Sequence, residues 1–141
     1  MTAGTGVRHS EFNHAQGNAT HFLQIWLLPA AAGLQPGYEQ KAYTTAEKRG
    51  RLRLVAAPGG VDGAVTLHAD ASIRAGLFDG DEAATLALPA GRKAWVHVAR
   101  GSITANGQQL QAGDALGLEA EPQLVLAQGN AAEVLVFDLA T

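Results

Sequence analysis

The feature that most restricts the fold of this chain is a series of short, alternately apolar segments cut by glycine, asparagine and aspartate. Its clearest stretch is KAWVHVARGSITANGQQLQAGDALGL, Lys93 to Leu118. A period of two places successive side chains on opposite faces, so such segments read as β-strands. Asn106-Gly107 is a strong two-residue hairpin signal, because both central positions of a type I′ turn need positive φ. Gly101 and Gly113 predict further turns on either side.

The same pattern recurs along the chain. RLRLVAAP sets Leu52 and Leu54 inward against outward Arg51 and Arg53, and AVTLHAD sets Val65, Leu67 and Ala69 opposite Thr66, His68 and Asp70. SIRAGLF and ATLALPAG follow, and QLVLA and EVLVFDL end the series as two strands around a Gly129-Asn130 turn. Eight or more short strands with turns roughly every 8 to 12 residues predict an all-β sandwich or double-sheet barrel. The single helical signal is TTAEKRG, with Thr44 or Thr45 as cap, Glu47 in the first turn and Gly50 as stop; a polar loop fits it equally well. Earlier, THFLQIWLL (Thr20 to Leu28) is apolar at both odd and even positions, the pattern of a strand covered on both sides. The stretch PAAAGLQPGYEQKAY then reads as a linker, dividing the chain into residues 1–49 and a main body of residues 50–141.

Bulk properties exclude several function classes. With Lys+Arg 10 against Asp+Glu 13, the net charge of -3 gives no electrostatic reason to bind nucleic acid or an anionic membrane. The longest apolar run, Ile25 to Leu34, is broken by Pro29 and Gly33 and falls short of the roughly 20 residues of a membrane-spanning helix. The absence of cysteine removes disulfides, thiolate catalysis and Cys-ligated zinc. No secretory signal pattern opens the chain, so the cytoplasm is the expected compartment.

MTAGTGVRHSEFN, followed by FLQIWLLP and GLQPGYEQ, resembles the pirin family, and particularly its bacterial quercetin 2,3-dioxygenase-like members. RKAWVHVARGSITANG and EVLVFDL are similar to strands of that family's second barrel. The resemblance implies a cupin-type jelly roll. Family members carry two such barrels with one metal, usually iron, in the first, held by a His-x-His pair and by a His-x-Glu pair. His9 and Glu11 match the second pair; nothing here matches the first. The resemblance therefore implies that residues 1–49 are the end of an N-terminal cupin plus linker, that residues 50–141 are the C-terminal cupin, and that the segment bearing the first pair lies upstream of Met1.

On a strand, positions i and i+2 share a face, so His9 and Glu11 can approach one ion together. Imidazole and carboxylate suit a first-row divalent metal, and two histidines with one carboxylate form the facial set of non-haem iron. One His and one Glu are half of such a site, so metal is expected to bind weakly or not at all. His14 or His21 offers a replacement donor in an oligomer; in a loop such as NHAQGNATH both read more simply as solvated. His68 and His97 read as outward or groove-lining side chains, and Trp26 and Trp95 as packing residues within apolar strands. The cupin metal-ligand slots of the main body fall at Leu86 to Ala90, Ala94 and Leu116, none of them a ligand. The TAGTG glycines lack the lysine and helix of a phosphate loop and read as a turn.

The resulting expectation is a pirin-like fragment without catalysis of its own. The alternative is a metal-dependent quercetin 2,3-dioxygenase-like enzyme completed by another chain or by oligomerisation. Its substrate would be a flavonol-like small molecule, with Glu11 as the general base. An apolar THFLQIWLL edge further predicts a homodimer through residues 1–28.

Overall fold

The computed structural model describes residues 1–140 and contains eight strands among them: β1 (Arg53–Pro58), β2 (Val65–Leu67), β3 (Ala71–Gly80), β4 (Ala84–Ala87), β5 (Arg92–Ala105), β6 (Gln108–Gln111), β7 (Ala115–Glu119) and β8 (Gln123–Ala140). The chain is an all-β, cupin-like fold, as the alternation predicts, although its sheet is not closed. Residue 141, the end of the expected main body, lies outside the described residues.

Two long strands organise the fold. β5 and β8 run antiparallel along their length, from Arg92↔Ala140 to Ala105↔Leu126. The first part of β5 and the last part of β8 pair with β7 and β3, and β3 continues through β1 to β2. Their other halves pair with β6 and β4. Each long strand thus serves two groups of neighbours, and the register shifts between Val98 and Thr104 mark where the ladder changes group. Side chains from both groups meet in one core: Phe78, Val96, Val98, Ile103, Leu124, Leu126, Val134 and Val136 are almost fully buried. Burying side chains of this size stabilises the fold by about 1.5–3 kcal/mol each relative to leaving them in water.

The crossover region corrects two expectations. Gly129-Asn130 is not a hairpin turn; β8 is a single strand of 18 residues that continues through it. Gly101 likewise lies inside β5 rather than at its end. Both are bend positions. A β-carbon on Gly129 would lie 2.6 Å from the Phe78 carbonyl oxygen, and Gly101 holds φ +68 where the two strands press together. Glycine permits both the close approach and the positive φ.

The Asn106-Gly107 turn forms as expected, with φ 44 and 79. Its asparagine also ties the hairpin to β8, accepting from Val125 N–H at 2.7 Å and donating to the Gln123 carbonyl at 2.9 Å. The TTAEKRG signal resolves as a helical turn, α1 (Thr45–Lys48). Thr44 caps it, and Glu47 returns to the Thr44 N–H at 2.7 Å, completing a capping box. These bonds from Thr44 hold the Glu47 carboxyl below its ordinary pKa.

The leading segment behaves differently from its sequence pattern. THFLQIWLL forms no strand and pairs with none. Alternation supplies two apolar faces, but a ladder needs a partner strand, and the described residues provide none for it. The segment is instead anchored at points beside it. Thr2 and Gly37 exchange backbone bonds at 2.8 and 3.0 Å, and the Ala30 N–H donates to the His68 carbonyl at 2.7 Å. Lys41 donates to the Ala64 carbonyl at 2.6 Å, and the Tyr43 hydroxyl reaches the Val55 carbonyl at 3.1 Å. Glu39 accepts from Thr66 N–H, and the Thr66 side chain together with that N–H holds its carboxyl below the ordinary range.

Candidate functional site

His9 and Glu11 sit in a stretch without regular secondary structure, and both are exposed. The neighbouring loop is closed by local bonds: Asn13 accepts from Ala15 N–H at 2.9 Å and donates to the Asn18 carbonyl at 2.8 Å. That turn holds His14 beside Phe12, ring centroids 6.4 Å apart, rather than toward the His9–Glu11 pair as a third donor. Among the described residues, no three His, Asp or Glu side chains come together in a group able to hold a metal ion. The donor types suit a divalent metal. A facial site takes three such donors, and His9 and Glu11 are two.

A second feature arises from the ladder itself. Directly paired residues share a face, so the register aligns Ile73, Phe137 and Trp95 in one row and Ala75, Leu135 and His97 in the next. This face points away from the core and is apolar, which follows from EVLVFDL placing hydrophobic residues at odd as well as even positions. Residues Leu23–Leu27 line the opposite side of a cleft over it, about 330 Å³ in volume, with Leu135, Phe137 and Leu139 as its floor. Its polar groups are His97 and Gln24. The cleft can take an apolar, flat body and offers one imidazole to orient it.

His97 is thus groove-lining, as its place in the alternation implies, and His68 is exposed just beyond β2. The packing role expected for the tryptophans does not hold: Trp26 is 86% exposed and Trp95 48%. Trp95 lies on the outward face of β5, and Trp26 belongs to the segment that never becomes a strand. Leu135, Phe137 and Leu139 were not separable as groove residues by pattern, because a strand apolar on both faces does not announce which face is covered.

At the end of the β5–β8 ladder, Arg92 joins three segments. Its Nε and Nη1 donate to Asp138 and Asp70, each at 2.7 Å, and Nη2 to the Asp138 carbonyl at 3.3 Å. Donation to Asp138 and Asp70 pushes the guanidinium pKa further up. This clamp closes the start of β5 against the end of β8.

Comparison with known proteins places the chain in a family. Residues 54–139 match the quercetinase C-terminal cupin domain. The chain is 33% identical over 139 residues to the quercetin 2,3-dioxygenase of Escherichia coli K12, covering 99% of this chain and 59% of that protein. It is 28% identical over 141 residues to a pirin-like protein of Caulobacter vibrioides, covering 99% of this chain and 60% of that one. Among solved structures, YhhW from E. coli superposes with a TM-score of 0.75 at 29% identity, over 81% of this chain and 47% of that chain. The same bacterial pirin in complex with nickel(II) gives a TM-score of 0.73. The chain therefore spans about 60% of the length of these two sequence relatives and 47% of YhhW. No helix among the described residues is long and apolar enough to cross a membrane. The main body is a cupin domain related to quercetin 2,3-dioxygenases, and the chain belongs to the pirin family.

Proposed function

We propose that this chain is a pirin-like cupin protein carrying half of a divalent metal site, and that it does not consume a flavonol unaided. The observation that carries this reading is the isolation of His9 and Glu11, two exposed donors with no third within the described residues. Iron is the expected metal by resemblance to the family. The nickel complex of E. coli YhhW supports a divalent site in a relative of which this chain covers 47%. The cytoplasm is the compartment assigned in this reading, in keeping with the cysteine-free sequence.

The companion reading is a quercetin 2,3-dioxygenase-like activity that arises when another polypeptide supplies the remaining donors. The 33% identity to the E. coli enzyme supports it. Glu11 would then hold the proton of the substrate hydroxyl, a role that requires a desolvated carboxylate. Its present exposure accounts for the lack of activity proposed for the chain alone. Quercetin loss followed by absorbance, with iron(II) or nickel(II) added to the purified chain, tests the proposal. No loss above the metal-in-buffer rate is expected; turnover that disappears in Glu11→Gln would overturn it.

A second copy of this chain is the partner proposed, through residues 1–28. Residues 23–27 line the cleft over the sheet, and Phe22, Trp26 and Leu28 are 64%, 86% and 91% exposed. Apolar side chains this open, three within one short segment, favour association.

A further inference from the structure

A cleft of about 470 Å³ at the start of β1, remote from the His9–Glu11 pair in sequence, gathers three guanidiniums: Arg51, Arg53 and Arg74. Leu52 and Leu54 give it an apolar floor, and its two carboxylates are Glu47 and Asp62. Neither carboxylate neutralises the cluster fully. Glu47 spends one oxygen on Thr44, accepting from its N–H and hydroxyl at 2.7 and 2.8 Å, and its other oxygen stays 3.9 Å from Arg53 Nε. Asp62 meets Arg53 only through its backbone carbonyl, at 2.7 Å from Nη2.

The arginines are correspondingly under-used. Arg53 Nε is buried with no hydrogen-bond acceptor, although its guanidinium stacks 5.3 Å over the Tyr43 ring. Arg74 donates to Ser72 Oγ at 3.0 Å and has no ion pair among the described residues. Arg51 makes neither a side-chain hydrogen bond nor an ion pair among them. Clustered like charges repel, and an anion seated among them relieves that repulsion. Arginine's planar fork suits the two oxygens of a carboxylate in particular.

We propose that this cleft is a binding site for a small organic carboxylate with an apolar body, such as an aryl carboxylate, held by Arg51 and Arg74 over Leu52 and Leu54, with the charge of Arg53 beside them. The carboxylate replaces the missing counter-charge, and the ring covers the leucines. The cleft volume lies in the range of small-molecule sites. The site uses none of the metal-half-site residues and stands independently of the function proposed above.

Titration of the chain with sodium benzoate, followed by calorimetry and by amide NMR shifts, provides the test. Saturable binding with shifts centred on Arg51–Leu54 and Arg74 is expected. Benzamide, equal in shape and uncharged, should bind at least about tenfold more weakly, and inorganic phosphate, without the apolar body, should also bind more weakly. Arg74→Ala should weaken benzoate about tenfold or more. Because Arg74 is half-buried, exposed Arg51→Gln serves as the second variant and should weaken it severalfold with an unchanged melting temperature. Equal binding of benzamide and benzoate, equal binding of phosphate, no saturation, or unaltered affinity in Arg51→Gln would each overturn the assignment.

Discussion

Gly101 in β5 faces the carbonyl oxygen of Asn130 in β8 so closely that no β-carbon can be accommodated between them. The contact falls where the two long strands change neighbours, and Gly101 holds φ +68 there. Gly101→Ala therefore meets both a steric overlap with backbone and an unfavourable left-handed conformation. Urea denaturation should show a loss of about 2–4 kcal/mol. Gly107→Ala, at φ +79 with open space around it, should cost only about 1 kcal/mol.

The Arg92 clamp makes a second prediction. Arg92 and Asp138 side chains are 20% and 19% exposed, so removing the guanidinium strands a largely covered carboxylate. Arg92→Ala should destabilise the fold by about 1–3 kcal/mol. Arg92→Lys should recover only part of this, since one ammonium cannot reach Asp70, Asp138 and the Asp138 carbonyl in the same fork geometry. Chemical denaturation of both variants checks the order.

Acid should loosen the outer elements before it reaches the core. Glu47 and Glu39 have pKa values lowered from 4.5, chiefly through hydrogen bonds from Thr44 and Thr66 respectively. A carboxyl with a depressed folded-state pKa contributes stability that is present above its unfolded pKa and lost as pH falls through the folded one. Stability should thus decline below about pH 4.5, and the Glu39→Gln/Glu47→Gln variant should show a flatter decline there while being less stable at neutral pH. Thermal melts across pH 3–6 provide the measurement.

Association through the leading segment predicts a concentration-dependent mass. Light scattering should show a dimer for the chain and a shift to monomer for the Trp26→Ser/Leu28→Ser variant, whose changed side chains are both more than four-fifths exposed. A monomer at high concentration would remove the second copy as partner.

Local chemistry was the most readable part of this sequence. The Asn106-Gly107 turn forms as its spacing implies, and the Thr44-to-Gly50 stretch, which fitted a helical turn or a loop equally, resolves as the helical turn with Thr44 as its cap. Gly129 was misleading, because glycine marks a bend within a strand as readily as a turn between strands; the pairing of β8 with the distant β5 decides which. Thr20–Leu28 shows the reverse problem. Its apolar alternation is real, yet a strand also needs a partner, which periodicity cannot supply. At the site level, His9-x-Glu11 is singled out by family resemblance alone. The arginine cleft was not legible, because Arg74 joins Arg51 and Arg53 in its lining only once β3 pairs with β1, which sets Arg74 opposite Leu54.

Metal content measures the central claim most directly. The purified chain, incubated with iron(II) or nickel(II), passed through a desalting column and analysed by mass spectrometry, should retain well below one equivalent per chain, and His9→Ala should change that little. Retention near one equivalent, abolished by His9→Ala or Glu11→Gln, would show that this polypeptide completes its own centre and would contradict the half-site account.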